Sequence, residues 1–147
     1  MRSQLEISGH IHPTRTTWIL HFSWPTNPLP MNGSRGNWRR HARETAQVRN
    51  HAYQLANLAA IPPLGRIRAQ LTWWVTTNHV RDPDNLAQLE KPLFDALVSA
   101  GIVPDDRPAY MEKPRAVIRT VDKIHGIVTD RCFTLTITQL PEETHYG

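Results

Sequence analysis

Apolar and polar positions change their period several times along the chain, and each change predicts an element. Thr17-Trp18-Ile19-Leu20-His21-Phe22 is β-branched and aromatic, the composition of a strand. Pro25, Pro28, Pro30, Gly33 and Gly36 then make the stretch 23–37 a long irregular loop. From Trp38 to Ala60 there is no Gly or Pro, and Ala42, Ala46, Val48, Ala52, Leu55 and Leu58 recur at near-helical spacing. This is the longest expected helix, and Ile61-Pro62-Pro63-Leu64-Gly65 stops it. Between Arg66 and Thr77, Ile67, Ala69, Leu71, Trp73 and Val75 alternate with polar neighbours, as in a half-buried strand. Leu86 to Ala100 reads as a second helix, with Gly101 just past its end. Pro92 lies inside this stretch, so either the helix kinks or a short turn precedes a helix opened by Pro92. Two more strand-like runs, near Tyr110–Arg119 and Arg131–Leu140, flank a loop containing Gly126 and suggest a hairpin.

The order is strand, helix, strand, helix, strand, strand: a small α+β domain with a mixed sheet and two main helices. Residues 1–16 read as a polar arm or short edge strand, 17–140 as one domain and 141–147 as a tail. At 147 residues the chain matches one domain of roughly 100–200 residues with a single core. No apolar run is long enough to span a membrane, so no membrane association is expected. The first residues lack the apolar region of a signal peptide, and Cys132 is the only cysteine. A reducing, cytoplasmic location is the expectation.

Charge adds a direction. Lys and Arg total 17 against 13 Asp and Glu, and only Lys91, Lys113 and Lys123 are lysines. Arginine's planar fork suits bidentate phosphate contacts and stacks on bases, although GC-rich coding would also favour it. Arg35, Arg39, Arg40 and Arg43 cluster at the end of the long loop and the start of the first helix, near Trp38. They are the candidate DNA-binding residues.

The acidic residues carry the sharper signal. In Arg81-Asp82-Pro83-Asp84-Asn85, an extended backbone puts Asp82 and Asp84 on the same side, and Pro83 biases Asp82 towards that conformation. Neighbouring carboxylates repel, and a hard divalent cation with oxygen ligands relieves that repulsion. Asp105-Asp106 follows the second helix, which is long enough to bring the chain back beside Asp82 and Asp84. Converging carboxylates at one sheet edge are the layout of a magnesium site for phosphoryl transfer. The same residues are also ordinary turn and N-cap chemistry. A calcium EF-hand starting at Asp82 fails, because Leu86, Ala87 and Leu93 replace a ligand, the turn glycine and the bidentate glutamate. Lys91, one turn before Asp95, is either a solvated surface charge or a cation for the scissile phosphate.

Taken together, these motifs resemble the RusA family of Holliday junction resolvases, from about Thr17 to Leu140. The resemblance rests on Arg81-Asp82-Pro83-Asp84-Asn85, then Lys91-Pro92-Leu93-Phe94-Asp95-Ala96-Leu97, then Ala100-Gly101-Ile102-Val103-Pro104-Asp105-Asp106. Trp24-Pro25-x-Asn27 adds weaker support. The resemblance implies that Asp82, Asp84 and Asp106 are catalytic, metal-binding acids, with Asp105 as an additional metal candidate. It further implies Lys91 as a catalytic lysine, with Asn85 and Asp95 in supporting positions. The interval between Asn85 and Lys91 is longer than in the best-known member by nearly one helical turn. The implied protein is a homodimer that nicks four-way DNA junctions symmetrically with magnesium, manganese being a substitute. Two alternatives stay open: a DNA-binding protein without cleavage, and a flap or replication-fork nuclease of the same fold.

Overall fold

The computed structural model describes residues 16–31, 37–121 and 130–141. It is an α+β fold with elements β1 (Thr17–Phe22), α1 (Trp38–Leu58), β2 (Ile67–Val75), α2 (Ala87–Ser99), β3 (Met111–Glu112), β4 (Val117–Thr120) and β5 (Cys132–Gln139). A single 3-10 turn, Pro83–Leu86, joins β2 to α2. All but residue 16 of the expected arm at 1–16 and all but residue 141 of the expected tail at 141–147 lie outside the described residues, as does the Gly126 loop.

The strands form one mixed sheet in the order β1-β5-β2-β3, with β4 also paired to β2. β5 runs antiparallel to both β1 and β2, whereas β3 and β4 run parallel to β2. Strict alternation puts Trp18, Leu20 and Phe22 of β1, Ile67, Ala69 and Leu71 of β2, and Phe133, Leu135 and Ile137 of β5 into one core. Val48, Ala52 and Ala56 of α1 and Leu89, Leu93 and Leu97 of α2 complete it. The neighbouring positions Thr17, Ile19, His21 and Arg68 are exposed, so both helices pack on the same face of the sheet.

The two helix ends show the local rules at work. At α2, the Gly101 N–H donates to Val98 O and the Ile102 N–H to Leu97 O, closing a Schellman motif with Gly101 at φ +79°. At α1 the same pair of bonds runs from Ala60 to Asn57 and from Ile61 to Ala56, but the left-handed residue is Ala60, at φ +55°. Neither expectation for Pro92 describes the chain fully. The short turn comes earlier, at Pro83–Leu86, and α2 then runs through Pro92 at its sixth residue. That position forgoes one backbone bond, to the Gln88 carbonyl, while Pro92 itself is buried.

The C-terminal region differs from the expected hairpin. β4 and β5 lie on opposite edges of β2 and do not pair with each other. β5 inserts between β1 and β2 because Phe133, Leu135 and Ile137 complete the apolar face there. The single strand expected near Tyr110–Arg119 is divided. Ile67 and Arg68 pair with Met111 and Glu112, then Thr72 to Val75 pair with Val117 to Thr120. Residues 113–116 thus stand opposite 69–71, a slip of one residue at Pro114, which has no N–H to give the ladder. The Gln70 side chain spans the gap by donating to the Arg115 carbonyl (2.9 Å).

Candidate functional site

The end of β2, the 3-10 turn, the outer face of α2 and the interruption between β3 and β4 meet at one edge of the sheet. Asp82 caps the 3-10 turn: its Oδ1 accepts the Asp84 N–H at 2.9 Å, with Pro83 at the turn's first position. The segment is therefore a capped 3-10 turn, the turn and N-cap chemistry of Asp-Pro-Asp, and not the extended backbone expected to put the two carboxylates on one side. Both are exposed, at 58% and 73% of their side-chain surface, and both meet Arg115. The Arg115 Nη2 lies 3.1 Å from Asp84 Oδ1 and 3.6 Å from Asp82 Oδ1. Its Nε donates to the same Asp84 oxygen at 3.3 Å.

Asp106 forms the second group. Its Oδ2 accepts from Lys113 Nζ at 3.1 Å and from Lys91 Nζ at 3.3 Å. Lys91 also reaches Asp95, one turn on, at 3.1 Å. The lysines hold the Asp106 carboxyl below the usual carboxylate range, Lys113 contributing most and Lys91 next. In return, hydrogen bonds to Asp95 and Asp106 raise Lys91 above the ordinary lysine value. Asp105 turns away from this group. Its Oδ1 accepts the Asp106 N–H at 2.6 Å and its Oδ2 pairs with Arg107 at 2.9 Å.

Three residues at this edge escape sequence reasoning. Lys113 and Arg115 come from the interruption between β3 and β4 and reach Asp106 and the Asp82–Asp84 pair respectively. The register slip that aims them depends on the pairing with β2, and no local motif announces it. Glu90 is the third. It is half-buried on α2, and burial, with Asp84 nearby, raises its carboxyl above the normal range, while Lys113 acts in the opposite direction. Glu90 thus feels both Asp84 and Lys113. A signal existed in its place beside Lys91, but helical periodicity alone reads it as a solvated charge.

The remaining predicted residues lie elsewhere or outside the described chain. Asn85 sits in the 3-10 turn, and its carbonyl accepts from Asn27 Nδ2 at 3.4 Å. Asn27 Oδ1 also accepts the Leu29 N–H at 2.8 Å, so this residue ties the first loop to the acidic edge. Arg39, Arg40 and Arg43 are exposed in the first turns of α1. Arg40 pairs with Glu44 at 3.5 Å and Arg39 lies over the Trp38 ring. Neither is among the cations that meet the acidic edge. Arg35 lies outside the described residues. Trp24 is a loop anchor, stacked on Phe22 with centroids 4.5 Å apart. Trp73 stacks on Phe133 in the core face, while Trp74 on the other face donates to Thr134 Oγ1.

The arrangement concentrates carboxylates and cations at one edge. Among the described residues no group of three or more His, Cys, Asp or Glu side chains is placed to hold a metal ion. Arg115, Lys91 and Lys113 are the charges that meet Asp82, Asp84 and Asp106. No helix among the described residues is long and apolar enough to cross a membrane. No family model matches the chain, and no curated protein matches it.

Proposed function

We propose that this protein is a structure-selective endodeoxyribonuclease, acting on four-way DNA junctions in recombination and repair. The observation that carries the reading is the gathering of Asp82, Asp84 and Asp106 at one sheet edge, each matched by a basic side chain. The order of the motifs, similar to that of the RusA resolvases, supplies the substrate class and the homodimeric state. Exposed Arg39, Arg40 and Arg43 add a second support. Positive side chains at a helix N-terminus work against the helix dipole, and a phosphate backbone would offset that cost.

Magnesium is the cofactor this reading requires, and here the fit is incomplete. The carboxylates are already neutralised from within the chain, and among the described residues they do not form a three-ligand group. What this chain's own residues supply is clear from their contacts. Lys91 and Lys113 keep Asp106 ionised, Arg115 holds the Asp82–Asp84 pair together, and all three cations can meet a phosphodiester. The same self-neutralised edge favours a second reading, a DNA-binding protein without cleavage.

The deciding experiment is a nicking assay on junction, flap, fork and linear duplex DNA with added magnesium, alongside the Asp82→Asn and Lys91→Ala variants. The expected result is paired nicking of the junction by wild type, none by Asp82→Asn despite retained binding, and a reduced rate for Lys91→Ala. Binding without nicking by wild type would establish the second reading instead. Preference for flaps or forks would move the substrate within the nuclease class.

A further inference from the structure

Next to the carboxylate–cation contacts, and sharing Asp82 with them, lies a hollow of about 530 Å³, within the size range of small-molecule sites. Its walls are mostly apolar, with Trp73, Val80 and Leu86 among them, and Asn27, Arg81, Asp82 and Asn85 supply the polar groups. We propose that this hollow receives an unstacked nucleobase of bound DNA. The proposal deepens the nucleic-acid reading of the same site and rests on it.

The stacking geometry is the first argument. Phe133 and Trp73 lie parallel, 9° apart, with centroids 5.4 Å from each other, and the Arg81 guanidinium sits 5.4 Å from the Trp73 centroid. Both terminal nitrogens of Arg81 are engaged by its own loop. Nη1 donates to the Thr77 and His79 carbonyls at 3.0 and 3.1 Å, and Nη2 donates to Thr77 Oγ1 at 2.8 Å. An arginine so tied has little of its fork left for a phosphate, but its plane is held rigid. Rigid aromatic and guanidinium planes are what unstacked bases pack upon.

Edge recognition is the second. The Asn85 side-chain amide is exposed and is engaged by no hydrogen bond among the described residues, so its donor and acceptor are available together. A planar amide of this kind matches the edge of a base. The third argument is position. Asp82 lines the hollow and also belongs to the acidic edge, so a base placed here lies next to a phosphate presented to Arg115 and Lys113. A phosphate itself would be a poor occupant, because the walls are apolar and the carboxylate repels it.

The test removes the base and blocks the hollow. Junction DNA carrying an abasic site at each crossover nucleotide in turn is titrated, in calcium, against wild type and Val80→Trp. Val80 is fully exposed, so the larger side chain can enter the hollow without disturbing the core. Losing a stacked base is expected to weaken wild-type binding about 5- to 150-fold at one position. Val80→Trp should bind the intact junction more weakly and show no further loss with the abasic one. This result supports the proposal even if the protein never nicks DNA. Equal binding of intact and abasic junctions by wild type overturns the proposal while leaving the nuclease reading standing. Sedimentation of both proteins is the companion measurement. If Val80→Trp abolishes self-association without altering the abasic effect, the hollow holds a second copy of the chain and the proposal falls. Absence of any DNA binding by wild type overturns both readings.

Discussion

α1 runs for 21 residues and buries only Val48, Ala52 and Ala56, whereas α2 buries six of its 13. The long helix is anchored by small side chains and keeps most of its length in water. The short one sinks Leu89, Leu93 and Leu97 into the core and presents Glu90, Lys91 and Asp95 on its other side. Their charges differ as well, since α1 opens with Arg39 and Arg40 and has no acid in its first turn, while α2 has Glu90 there. The difference teaches where precision lies in this fold. A deeply seated helix holds its polar face at a defined place, and that face meets Asp106. A shallow helix offers a surface of positive charge with less demand on position, as suits contact with a phosphate backbone.

The sharpest way to break this comparison is to truncate an apolar residue on each helix. Leu93→Ala should cost about 2–5 kcal/mol in urea unfolding, because a fully buried side chain leaves a cavity. Leu58→Ala, at a position 81% exposed, should change stability by about 0.5 kcal/mol or less. Comparable losses would show that α1 is as deeply anchored as α2.

Asp106→Asn probes the polar side of α2 next. The depressed Asp106 carboxyl contributes stability that is present above the ordinary carboxylate value and is lost as pH falls through its lower folded value. The variant should therefore lose about 1 kcal/mol or less at neutral pH, and the gap to wild type should close in acid. A gap that stays constant with pH would mean that the Lys91 and Lys113 contacts contribute nothing in solution. Glu90→Gln has the opposite sign. Because the Glu90 carboxyl is raised, ionising it costs stability as pH rises through the range above its ordinary value. The glutamine variant should be the more stable protein at neutral pH and equal to wild type in acid. A variant less stable than wild type at pH 7 would show that the Lys113 attraction outweighs burial.

The smallest expected effects concern the helix ends. Ala60→Gly should gain about 1 kcal/mol in thermal unfolding, since α1 ends in a left-handed residue that carries a Cβ. Gly101→Ala should lose a similar amount at the end of α2. Nothing lies within 4 Å of the added Cβ there, so the cost is backbone strain alone.

Local signals were enough for much of this molecule. β1, the start of α1 and the core of β2 follow from alternation and helical spacing, and Gly101 marks the end of α2. The capped turn at Asp82 follows equally from Asp-Pro-Asp, because the Asp82 carboxylate accepts the Asp84 N–H, although the extended backbone also expected there does not form. What lay beyond the sequence depends on contacts between distant segments. Seated between β1 and β2, β5 reflects competition among strand pairings, which no single run of residues can decide. Lys113 and Arg115 reach their carboxylates only because the strand slips by one residue against β2, and Glu90 is perturbed only because α2 packs as deeply as it does. Sequence by itself determined which charged side chains the chain carries. The tertiary structure decided which charges meet, since the energy of an ion pair depends on separation and burial that only the packed chain sets.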